Sequence, residues 1–94
     1  VAANYRLRIE RHEGHVWGHA TVQRWSHHVA RAIERDVAVL CAEHGRILAT
    51  ATADRAQGAA YEVWRKFICR IGFRFLMTKT DAHGTRHAIY ARWE

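Results

Sequence analysis

Histidine is the first residue type in this chain that invites chemistry: there are eight, and His12, His15 and His19 fall within one short stretch. A zinc-protease helix needs its two histidines four positions apart, with a glutamate beside the first. Here His15 follows His12 by only three positions, Glu13 lies between them, and Gly14 interrupts any helix. That motif is absent. If the segment is a hairpin, His12 and His15 flank its turn, but two ligands do not complete a structural metal site. No metal is expected.

Nucleophilic or hydrolytic chemistry needs an activated nucleophile beside its base, or clustered carboxylates around a divalent ion. Ser26 is the only serine and reads as a helix cap. The nine acidic residues are scattered and mostly lie near cations, as Glu34 does near Arg31 and Glu62 near Lys66. There is no glycine-rich phosphate loop and no dinucleotide fingerprint. The expectation is a non-enzyme with no cofactor. Cys41 and Cys69 match neither a disulfide framework nor a zinc knuckle. They read as reduced, half-buried packing residues of a cytoplasmic protein.

The stronger signal is positive charge. Fifteen Lys plus Arg against nine Asp plus Glu give a net charge of +6, and thirteen of the fifteen are Arg. Guanidinium suits planar, bidentate contact with phosphate or carboxylate. GC-rich coding also enriches Arg, but the positive field that favours anionic partners remains. No apolar run approaches the ~20 residues that cross a bilayer, so no membrane partner is expected.

These residues need elements to position them. Tyr5, Leu7 and Ile9 alternate with Arg6, Arg8 and Glu10, which predicts a half-buried strand over 5–11. Glu13-Gly14 supplies a turn, and Val16-Trp17 begins a returning strand of unclear end. Val22, Trp25, Val29, Ile33, Val37 and Leu40 keep helical spacing, so a helix begins near Thr21 or at a Ser26 cap and stops at Gly45. Arg46 to Thr52 reads as a short extended connection. Asp54 and Gln57 form a capping box for a second helix whose stripe is Ala56, Ala60, Val63, Phe67 and Ile71, widened by Trp64 and Ile68.

The C-terminal strands, 73–80 and 85–93, flank a type I turn at Asp81-Ala82-His83-Gly84 with Gly84 left-handed. Pairing Asp81 with Thr85 would set Phe73 opposite Trp93, Phe75 opposite Ala91 and Met77 opposite Ile89, all six facing the helices. Truncating Phe75 to alanine would then cost about 3–5 kcal/mol. The same register would place Arg74 directly across from Arg92, with Tyr90 and Arg86 on their face. Like charges so opposed are destabilising, and an anion between them would relieve the repulsion. Arg6 and Arg8 would join this face, and Tyr90 would offer a ring for stacking. A solvated face whose arginines merely lie over Leu76 and Tyr90 is the alternative. Arg55, Lys66 and Arg70 form a secondary basic stripe on the second helix.

From Val37 to Trp93 the order of elements resembles winged-helix DNA-binding domains. The resemblance implies a short helix at 52–57, a turn at Gly58, a recognition helix over 61–71 and a two-stranded wing. Asp54 and Trp64 depart from that pattern, and one continuous helix from Asp54 to Ile71 is the competing reading. The fold expected is a single α+β domain over 1–94: a small antiparallel sheet, with an N-terminal strand or hairpin plus the C-terminal hairpin, covered on one face by two helices. Its expected function is non-catalytic nucleic-acid binding through the Arg/Tyr face. The alternative is a small adaptor or inhibitor that occludes a larger machine by docking on an acidic protein surface. Oligomeric state stays open.

Overall fold

A computed structural model describes residues 4–52 and 58–94. Its elements in chain order are β1 (Tyr5–His12), β2 (His15–Val22), α1 (His27–His44), β3 (Arg46–Thr52), α2 (Gly58–Arg70), β4 (Arg74–Thr80) and β5 (Arg86–Trp93). The five strands form a mostly antiparallel sheet in the order β1-β2-β3-β5-β4, so the fold is α+β as the sequence predicts. The chain divides into two units: Val1–Ile47 with Trp93–Glu94, and Leu48–Arg92.

In the first unit, β1 and β2 pair antiparallel from Tyr5 opposite Val22 to His12 opposite His15. The two-residue turn is Glu13 (φ 52) and Gly14 (φ 78), both left-handed, as a type I′ hairpin turn requires. The predicted alternation holds: Tyr5, Leu7 and Ile9 are half-buried, while Arg6, Arg8 and Glu10 are exposed. The Tyr5 hydroxyl donates to Asp36 on α1 at 2.5 Å. That hydrogen bond holds the phenol pKa above its ordinary value. Gly18 allows close approach on this face, since a Cβ there would lie 3.2 Å from Ile47 Cγ2.

Between the two candidate starts for α1, the Ser26 cap is the one used; its hydroxyl accepts from the Val29 amide at 3.2 Å. At the other end the Gly45 amide donates to the Cys41 carbonyl at 2.7 Å, with Gly45 at φ 80. Val29, Ile33, Val37 and Cys41 form the buried stripe. Cys41 is fully buried and Cys69 exposed, so neither is half-buried.

In the second unit, the expected short connection is largely strand: Leu48 and Ala49 of β3 are consecutive and buried. The Thr50 hydroxyl donates to the Ala88 carbonyl of β5 at 3.1 Å. Ala88, Ile89, Tyr90 and Ala91 are likewise buried in succession, the mark of a strand covered on both faces. On α2 the inward side runs through Tyr61, Trp64 and Ile68, whereas Val63, expected in the stripe, is 68% exposed. Of the short helix that the winged-helix resemblance implies over 52–57, Thr52 is instead the last residue of β3, and 53–57 lie outside the described residues. α2 runs unbroken from Gly58 to Arg70. The capping pair Asp54 and Gln57, with Arg55 and Ala56, lies outside the described residues.

The turn between β4 and β5 has the predicted chemistry. Asp81 Oδ1 accepts from the amides of His83 (2.8 Å) and Thr85 (3.0 Å), and Gly84 takes φ 82. Asp81 Oδ2 meets His87 Nε2 at 2.8 Å. The His87 contact first, then the amides, hold the Asp81 carboxyl below the ordinary carboxylate range. Its stabilising contribution is therefore present above the carboxylate range and lost as pH falls through the lowered pKa. Thermal melts across the acid range should show the melting temperature falling there, and Asp81→Ala should blunt that fall. An unchanged acid profile in the variant would contradict this role.

The register beyond that turn departs from expectation. Thr80 pairs with Arg86, Thr78 with Ala88 and Met77 with Ile89, as predicted. A bulge between Phe75 and Met77 then shifts the pairing by one residue, giving Phe75 opposite Tyr90 and Arg74 opposite Ala91. A one-residue slip sends every later side chain to the other face. Of the six residues expected in the core, Phe73, Ile89 and Ala91 are buried. Phe75, Met77 and Trp93 are 57%, 50% and 49% exposed.

Candidate nucleic-acid interface

The bulge takes apart the Arg/Tyr cluster read from sequence. Arg74 is exposed but faces Ala91, so the Arg74–Arg92 opposition does not exist. Arg92 folds against Gly72, where its Nε lies 2.8 Å from the position a Cβ would occupy. Tyr90 is only 4% exposed and cannot serve as a stacking platform. Its hydroxyl lies 3.0 Å from that of Tyr61. Its ring meets those of Trp64 and Phe75 edge-on at 5.4 and 5.5 Å. Burial, then the Tyr61 hydrogen bond, push the phenol pKa well above its ordinary value, so it stays neutral. Arg86 is exposed beside the turn, paired with Thr80.

On α2, Lys66 and Arg70 are exposed, and Arg55 lies outside the described residues. Glu62 pairs with Arg65 at 2.8 Å, not with Lys66 as its spacing suggests. That contact draws the Glu62 carboxyl below its usual range.

Arg6 and Arg8 stand differently. The β1–β2 register places them on one face with Glu10 and His12 of β1, and with His15, Trp17, His19 and Thr21 of β2. Arg6 lies opposite Thr21 and Arg8 opposite His19, so neither arginine is set against another. His19 Nε2 lies 3.1 Å from Glu10 Oε2, close enough to pair with it when the ring is protonated. Arg46, the first residue of β3, adds a third guanidinium, its Nη2 lying 2.7 Å from His15 Nδ1. A guanidinium only donates, so His15 accepts through Nδ1, and a neutral ring carries its proton on Nε2. Trp17 is half-buried in the middle of this face, and its indole N–H has no acceptor among the described residues.

The face therefore joins Arg6, Arg8 and Arg46 with three histidines and a tryptophan, and Glu10 is its carboxylate partner for His19. Reading the sequence finds Arg6 and Arg8 but misses Trp17 and Arg46. Trp17 was legible as part of the returning strand; Arg46 was hidden because the connection it opens is a strand of the sheet. His12 and His15 do flank the turn as expected, but no group of three potential metal ligands assembles among the described residues. Among those residues, no helix is long and apolar enough to cross a membrane. Comparison with protein-family models, curated proteins and solved structures finds no match, so the case for function rests on this chain's own residues.

Proposed function

We propose that this chain is a non-catalytic nucleic-acid-binding module whose contact surface is the outer face of the β1–β2 hairpin. The observation that carries the reading is the hairpin register, which sets exposed Arg6 and Arg8 on one face with His15, Trp17 and His19. Arginines at alternate positions along an extended strand stand roughly 7 Å apart. That is close to the spacing of successive phosphates on an extended nucleic-acid strand. Trp17 supplies an aromatic surface among them, and base–aromatic stacking contributes about 1–3 kcal/mol per base without demanding a sequence. The net charge of +6 brings the polyanion to the domain.

The test is fluorescence anisotropy with labelled single-stranded and duplex DNA and RNA across a salt series. Log affinity should fall linearly with log salt, because bound cations release condensed counterions. Failure to bind any of the four at low salt would rule the reading out. Binding that ignores salt would point to a protein partner.

A further inference from the structure

The two edge strands of the sheet are built differently. On β1 the exposed positions are charged, with Arg6, Arg8 and Glu10 alternating with half-buried apolar residues. Charged side chains in that pattern are how natural edges discourage pairing with other strands. On β4 every residue is exposed, and Phe75, Leu76 and Met77 stand in succession at 57%, 44% and 50% exposure. Three consecutive exposed apolar residues on an edge are a fault in a free protein unless something covers them. The bulge sets Phe75 opposite Tyr90 and leaves Met77 opposite Ile89. Alternate backbone groups of an edge strand also point away from its neighbour and remain open to a further strand.

Charge identifies the occupant. Arg74 and Lys79 bracket the apolar trio, and the sequence of β4 contains no carboxylate. Neither cation has an ion-pair partner among the described residues. A second copy pairing antiparallel through β4 would bring four cations onto one ribbon with nothing to balance them. A strand with an apolar centre and acidic ends would balance both. We infer that β4 docks an extended segment of a protein partner, apolar in the middle and acidic at its flanks, as a sixth strand of the sheet. This is β-augmentation: main-chain hydrogen bonds hold the segment and its side chains select it. The site is independent of the nucleic-acid face, and either can fail without the other.

The test uses the whole chain and two blocked heptapeptides of alternating valine and threonine, one ended by glutamates and the other by lysines. Backbone amide NMR titration should show the glutamate peptide saturating, with shifts centred on Arg74–Thr80. Its affinity should exceed that of the lysine peptide by about tenfold, as two exposed charge pairs would give. The double variant R74E/K79E, altered only at exposed positions, should keep its melting curve and reverse that preference. Equal affinities, shifts centred elsewhere, or no saturation would overturn the proposal. So would a concentration-dependent dimer in sedimentation that Met77→Lys dissociates, which would assign the edge to a second copy.

Discussion

Replacing Tyr90 by alanine should lower the free energy of unfolding by about 3–5 kcal/mol, the usual range for removing a buried aromatic. Small domains hold only about 5–15 kcal/mol in total, so the variant should be close to unfolding near body temperature. The expectation follows from what the ring touches: Trp64 and Phe75 edge-on, with the hydroxyl meeting that of Tyr61 at 3.0 Å. Tyr90→Phe keeps the ring contacts and loses only the hydroxyl pair, for about 0.5–1.5 kcal/mol. Phe75→Ala removes a ring that is 57% exposed and should cost well below the Tyr90 value. Urea denaturation of the three variants gives the order directly. A Tyr90→Ala protein that melts with the parent but loses affinity for nucleic acid would restore Tyr90 as a stacking residue.

That order inverts the one expected from sequence, and the cause is local. The turn at Asp81 correctly sets the pairing as far as Met77 and Ile89. The period-two pattern then stops, because Phe75-Leu76-Met77 offers three apolar residues where alternation allows two. A bulge absorbs the extra residue, and Arg74 and Phe75 change faces relative to β5. Nothing in turn chemistry reports a bulge several residues away; the broken alternation was the available signal. The same blindness affects strands in the middle of the sheet. Ile47-Leu48-Ala49 and Ala88-Ile89-Tyr90-Ala91 lack a polar face, so their burial on both sides leaves no period to read. β1 is legible because it is an edge with one wet side, and α1 because Ser26 and Gly45 mark both ends. The candidate site follows the same division. Arg6 and Arg8 lie on the legible strand, whereas Arg46 joins them only through a strand that looked like a connection.

Replacing Arg6 and Arg8 together by alanine should change nucleic-acid binding far more than stability. Both side chains are exposed, and neither has an ion-pair or hydrogen-bond partner among the described residues. Exposed substitutions of this kind usually stay within roughly 0.5 kcal/mol of the parent. If each guanidinium contacts a phosphate, the slope of log affinity against log salt should flatten by about 1.8 for duplex, or about 1.4 for a single strand. The smaller value would fit an open sheet face, which presents a surface for splayed bases and inserts nothing into a groove. Trp17→Ala should weaken binding while leaving the slope nearly unchanged, because stacking releases no counterions. The matched control is Arg74→Ala with Arg86→Ala, which removes two exposed cations from the C-terminal hairpin. Equal flattening by both pairs would mean a diffuse positive field with no defined face. Flattening by the control pair alone would move the interface to β4 and β5. An effect confined to Arg6 and Arg8, together with loss of affinity at Trp17, would locate binding on the outer face of the β1–β2 hairpin.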